Sequence, residues 1–149
     1  MKKLSSSKVK DVSYDESDVF SFPKGIPGFE HLREWLIVGD EDSPVKWLHS
    51  VEEDVALPIA HPRTFFGNYD AKISKAALTD LKTENEEDLT VVVVLSIAGG
   101  DIKHSTVNLK APILINSDKR LGMQIIALNE NYDVRHPLFP SSSQDSGSD

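Results

Sequence analysis

The sequence predicts a mainly β protein, a single-domain antiparallel β-barrel-like fold with one or two short helices. Three observations predict it. About nine short runs rich in β-branched, aromatic or alternating apolar residues recur along the chain. Gly, Pro, Asn, Asp or Ser punctuates the breaks between many of them, which favours hairpins and so antiparallel pairing. Only one segment carries convincing helical spacing, so the repeating strand-helix alternation of a doubly wound sheet is missing.

The elements follow in order. The first dozen residues are polar and mixed in charge, so residues 1–13 are expected to be a flexible segment preceding a β domain at 14–140. Strands are expected at DVFSF (18–22), EWLIV (34–38), VKWLHS (45–50), ALPIA (56–60) and YDAKI (69–73), with the turns KGIPG and DEDSP among them. A short turn is expected to start at Glu30. SKAALTDLK (74–82) reads as the helix, with Ser74 as N-cap and Ala77, Leu78 and Leu81 on one face. Strands resume at LTVVVVLSIA (89–98), TVNLKAPILIN (106–116), GMQIIALN (122–129) and YDVRH (132–136), joined through GGD, SDKR and NEN. SSSQDSGSD (141–149) is a low-complexity tail with no apolar side chain and is expected to be disordered.

Composition narrows the function classes. Lys and Arg total 16 against 24 Asp and Glu, a formal charge of -8. Direct nucleic-acid binding is disfavoured, because neutralising phosphates calls for a basic surface. With no cysteine, disulfides, thiolate nucleophiles and Cys-based metal sites are excluded. Met1, Lys2 and Lys3 begin like a secretion signal, but a polar stretch follows where an apolar one is needed, and no apolar run approaches a membrane span. A soluble cytoplasmic protein with a protein partner is the expectation.

Chemistry is sparse. His31, His49, His61, His104 and His136 show no metal-ligand spacing, so no metal site is assigned. His104 and Ser105 are adjacent, which on a strand turns them to opposite faces and spoils a nucleophile-base pair. GGD lacks the Lys and helix start of a phosphate loop. No cofactor and no catalytic residue is expected. Ten of the acidic residues fall in three clusters: Asp40, Glu41 and Asp42; Glu52, Glu53 and Asp54; and Glu84, Glu86, Glu87 and Asp88. They form a negative patch only if the fold brings their loops to one end.

Two stretches stand out. In FPKGIPGFEHL (22–32), Gly25 and Gly28 permit positive φ and Pro27 fixes its own, while Ile26 and Phe29 place large apolar groups in a tight loop. Such a loop is either a staple to the core or an apolar surface offered to a partner. A loop with two glycines needs one anchor, and the expectation is Phe29 in the core with Ile26 and Glu30 bordering an interface. In TVNLKAPILIN the odd positions are all apolar, yet Asn and Pro interrupt the strand pattern. Either Asn108 and Asn116 bond neighbouring backbone at a bulge around Pro112 or at a strand end, or Asn108 and Lys110 lie on an exposed face and bond a partner segment.

GIPGFE, then LHSVEED, HPRTFFGNY, TVNLKAPILIN, RLGMQIIALN and YDVRHPLF, at this order and spacing, closely resemble the flagellar assembly factor FliW family. The resemblance runs from about Phe20 to Phe139. His49 departs from it, since the family more usually has Gln before the residue matching Ser50. Membership implies a mainly antiparallel β-barrel-like fold and a non-catalytic cytoplasmic protein. It implies binding to flagellin and, alternatively, to the translational regulator CsrA, with CsrA repression of flagellin translation relieved as a result. Candidate partner-binding residues are Ile26, Pro27, Phe29, Glu30, Asn108, Lys110 and Asn116. The alternative class is a small-molecule-binding barrel or an enzyme using the barrel mouth.

Overall fold

The computed structural model describes residues 1–10, 12–100 and 102–139. Its centre is a closed seven-stranded barrel. The strands are β3 (Phe20–Ser21), β4 (Glu34–Val38), β5 (Val45–Ser50), β6 (Ala56–Ala60), β7 (Thr90–Ser96), β9 (Ile113–Asn116) and β10 (Leu121–Gln124). Outside the ring lie the hairpin of β1 (Lys2–Leu4) and β2 (Val12–Tyr14), the helix α1 (Lys75–Asp80), and β8 (Thr106–Val107) with β11 (His136–Pro137). The ring runs β7-β6-β5-β4-β3-β10-β9 and returns to β7. Every pair is antiparallel except β3 with β10, which meet in parallel at Ser21 and Leu121.

Side-chain alternation then sorts the apolar residues. Phe20, Phe22, Trp35, Leu48, Ile59, Val92, Ile113 and Ile115 fill the barrel with Ile26 and Leu32. The outward residues are not left to water, because three layers cover them. Ala77 and Leu81 of α1 and its C-terminus lie on Leu114 and Met123. Tyr69, Ala71, Ala127 and Leu138 lie on Val93, Leu95 and Val107. Leu4 lies on Leu36 and Val38. The run VVVV in β7 is thus apolar on both faces because both faces are buried.

Here the structure corrects several expectations. Residues 1–13 include β1 and paired residues of β2, and Leu4 is 5% exposed. A lone hairpin is marginal in water. This one is held by Leu4, whose burial contributes roughly 1.5–3 kcal/mol, and by a polar latch. His49 is fully buried, its Nε2 2.7 Å from Ser6 Oγ and its Nδ1 2.7 Å from the Ser50 carbonyl. The Ser7 amide donates to Asp54, and the Ser7 side chain, then that amide, holds the Asp54 carboxyl below its usual range.

YDAKI is extended but joins no sheet. Its alternation is real, burying Tyr69 and Ala71, while side chains replace the ladder: Tyr132 Oη accepts from the Asp70 amide, Asn129 Oδ1 accepts from the Lys72 amide, and Asn129 Nδ2 donates to the Asp70 carbonyl. GMQIIALN leaves the sheet after Gln124, and of YDVRH only His136 is paired. The turn at Glu30 stays a turn. The helix is as expected, with Ser74 Oγ accepting from the Ala77 amide at 3.2 Å. The tail at 141–149 and Asp101 of GGD lie outside the described residues.

Of the described glycines, Gly122 leaves the least room for a side chain. A Cβ there would lie 2.3 Å from Cζ of Phe22, a ring with no exposure. Gly122→Ala should therefore destabilise by about 1–3 kcal/mol, read from the urea midpoint, and an unchanged midpoint would contradict this packing.

Candidate functional site

The chain between β3 and β4 is a plug on one end of the barrel. Ile26, Phe29 and Leu32 pack against Phe22 and Trp35, with the Phe22 and Phe29 rings edge-on to Trp35 at 6.3 and 6.4 Å. Trp35 Nε1 donates to the Leu32 carbonyl, so the indole holds the plug by a polar bond too. Gly25 has φ 71°, and any Cβ there would meet Glu30 Cα at 2.9 Å. Arg33 ties both shoulders of the loop, Nη1 donating to the Pro23 carbonyl at 2.5 Å and Nε to the Glu30 carbonyl at 2.7 Å. Glu52 Oε1 accepts from the Arg33 and Glu34 amides, and Lys24 pairs with Asp80 of α1 at 2.8 Å.

What this fixed frame presents to solvent is narrow. Pro27, Gly28, Glu30 and His31 are exposed and Phe29 is half-buried. Glu30 folds back to accept from the Gly28 amide at 3.1 Å. Its own backbone N–H, then that of Gly28, holds its carboxyl below the usual range, so the negative charge at the loop tip persists into mild acid. His31 faces Glu53 at 3.3 Å. Ile26 reverses the expectation. It is 2% exposed and belongs to the barrel core, deeper than Phe29, and does not border the surface.

The second candidate stretch also turns inward. β8 pairs with β7 at Val107 and Leu95, whereas β9 pairs with it at Ile113 and Val92. Residues 108–112 are therefore an excursion between two strands on the same edge. Its carbonyls are met in turn: Leu109 by Tyr69 Oη, Lys110 by the Ala127 amide, Ala111 by Gln124 Nε2 and Pro112 by the Ile125 amide. Asn108 Oδ1 accepts from the Ala111 amide, and Lys110 Nζ donates to the Asn129 carbonyl. Asn116 is 4% exposed, with Nδ2 on the Leu81 carbonyl at 2.7 Å and Oδ1 accepting from the Lys119 amide. Asn108 and Asn116 thus serve backbone at a bulge and a strand end. Asn108 and Lys110 are half-buried, and Asn116 offers a partner nothing in this arrangement.

Seven candidates therefore separate. Pro27, Phe29 and Glu30 lie together on the plug; Ile26 supports them from the core; Asn108, Lys110 and Asn116 belong to another part of the wall. The acidic clusters separate as well. The turn with Asp40, Glu41 and Asp42 precedes β5 and the turn with Glu52, Glu53 and Asp54 follows it, so they sit at opposite ends of that strand. Sequence reasoning missed Arg33 and Gln124 and read Glu52 only as part of an acidic cluster; their roles depend on carbonyls and amides that no one-dimensional pattern marks. The barrel mouth is stopped by the plug and its interior filled by side chains. Among the described residues no three His, Asp or Glu converge as metal ligands would, and no helix is long and apolar enough to cross a membrane.

The comparisons agree with this architecture. The family model described as FliW protein matches residues 3–138. Over 141 residues the chain is 39% identical to the flagellar assembly factor FliW of Thermosipho africanus, spanning 93% of this chain and 97% of that protein. Over 131 residues it is 40% identical to the flagellar assembly factor FliW of Clostridium botulinum strain Langeland, spanning 87% and 91%. It also matches a crystal structure of the flagellar assembly factor FliW with a TM-score of 0.85 at 33% identity, covering 93% of this chain and 98% of that one.

Two substitutions distinguish support from surface. Ile26→Ala should cost about 2–5 kcal/mol, while Glu30→Gln should leave stability within about 0.5 kcal/mol. Denaturant midpoints of both variants check this, and a neutral Ile26→Ala would contradict the plug.

Proposed function

The chain belongs to the FliW family of flagellar assembly factors, and from that premise we propose that it binds flagellin and, alternatively, CsrA in the cytoplasm, antagonising CsrA repression of flagellin translation. The match of sequence and fold to that family over residues 3–138 is the observation that carries this reading. The protein acts by binding, without catalysis. A barrel interior filled by side chains favours that over a ligand held at the mouth. Pro27, Phe29 and Glu30 form the contact, since their backbone is pre-shaped by Gly25, Arg33 and Trp35 and little order is lost on docking. Ile26, Asn108, Lys110 and Asn116 act behind that contact or apart from it, by holding the barrel.

Charge supplies the antagonism. CsrA needs positive potential to hold RNA phosphates, and a body of charge -8 docked beside it repels them within a Debye length, about 8 Å at physiological salt. Acidic turns at both ends of β5 spread that field around the body, so repulsion does not require one special patch.

Competition experiments test the reading. Purified protein should bind CsrA and flagellin in mutually exclusive fashion, and Glu30→Gln should weaken binding by about 1 kcal/mol or more. Its displacement of RNA from CsrA should fade as salt rises from low to high. No complex with either protein would sink the partner assignment, and displacement independent of salt would replace repulsion with a steric effect.

A further inference from the structure

The barrel is closed at β3 by two residues, and this leaves half of β4 without a neighbour on its β3 side. β3 pairs with β4 at Phe20 and Trp35 and at Ser21 and Glu34, then stops. The ladder fixes where the remaining backbone groups turn. The Val51 amide donates to the Glu34 carbonyl, so Glu34, Leu36 and Val38 direct their N–H and C=O toward β5. The Phe22 amide donates to the Arg33 carbonyl, so Arg33, Trp35 and Ile37 direct theirs toward β3. Where Ile37 turns its amide no strand lies among the described residues, and its side chain is 37% exposed.

Beside this open edge runs a groove of about 210 Å³. Val12 and Tyr14 of β2 form one wall, Ile37 and Val38 the other, with Phe20 and Arg120 along it. β2 pairs with β1 in a two-stranded sheet, so its other edge is also free among the described residues. Arg120 is set in place with care. Its φ is 53°, its guanidinium lies 3.7 Å from the centre of the Phe20 ring, and Nη2 donates to the Asp18 carbonyl at 2.6 Å. Its Nε is buried with no hydrogen-bond partner among the described residues. The Asp18 carboxylate, also on the groove, accepts from the Asp15 amide and caps its own turn.

We propose that this groove is a β-addition site for an extended peptide segment of a partner protein, an acidic residue flanked by apolar ones. The peptide backbone completes the ladder at Ile37. Its carboxylate meets the charge of the Arg120 guanidinium where that side chain lines the groove. Its apolar side chains lie on Val12, Tyr14 and Val38. A free carboxylate alone leaves the Ile37 amide unmet, and a helix offers no backbone groups to it, so an extended acidic strand fits the three features together. The site stands independently of whether CsrA or flagellin is the partner.

The test is an NMR titration of the full ¹⁵N-labelled chain with the capped heptapeptide Lys-Thr-Val-Glu-Val-Thr-Lys. Shift changes should centre on the Ile37 amide and Arg120 Nε–H. Replacing the peptide Glu by Gln should weaken binding at least tenfold, and N-methylating its backbone should abolish it. Those two arms leave the protein unaltered, so misfolding cannot mimic them. Ile37→Pro removes the edge N–H while sparing the β5 ladder, and should keep the fold and lose the peptide. Absence of shifts at Ile37 with millimolar peptide, shifts mapped elsewhere, or equal binding of the Glu and Gln peptides would overturn the proposal.

Discussion

A strand that changes register by an odd number of residues turns over, and the architecture rests on one such change. Along one edge of β7, Val107 stands opposite Leu95 and Ile113 opposite Val92. An uninterrupted ladder from Val107 would put residue 110 opposite Val92, so three additional residues have been inserted. Because side chains alternate with period two, the insertion sends Val107 to the outer face and Ile113 and Ile115 into the barrel. One continuous stretch of sequence thereby closes the barrel and starts the layer outside it.

The insertion has a cost that organises its surroundings. An excursion leaves carbonyls and amides without ladder partners, and buried ones must be met elsewhere. Tyr69, Gln124, the segment at 125–127 and the Asp133 carbonyl do this. YDAKI and the second half of GMQIIALN lie outside the sheet for the same reason: their positions are set by the excursion they serve and by the apolar wall of Val93, Leu95 and Val107. Tyr69 illustrates the exchange, since burial that pushes its phenol pKa up also leaves its hydroxyl a firm donor to Leu109.

This explains what could be read from sequence and what could not. Alternation and turn residues revealed the barrel strands, and helix spacing with a Ser cap revealed α1, because those signals are local. The odd positions of TVNLKAPILIN were legible as buried, but their division between two cores depends on a register set by β7. Ile26 and Phe29 were legible as an apolar pair around two glycines. Which of them goes deeper depends on where Trp35 and Arg33 lie across the loop, and neither contact has a signature in one dimension. Lys2–Leu4 was hidden by polar neighbours, since one apolar residue in three is enough when Leu36 and Val38 await it.

A filled barrel acts through its outer surface, and that surface is shaped by how little of β3 is strand. A β3 extended toward its N-terminus would pair Ile37 and seal the seam, but the 3-10 turn at Glu16–Asp18 diverts the chain before that point. The diversion sends residues 1–10 and 12–14 across the outer face of β4 and β5, where Leu4 covers Leu36 and Val38 and Ser6 reaches His49. It also leaves Phe20 as the last residue of the ladder on that side, its ring covered by Arg120. Ordering the hairpin, shielding His49 and leaving β4 half open are thus three results of one short strand. Lengthening β3 would remove all three together, which ties the exposed edge to the packing of the N-terminus and distinguishes it from an incidental gap.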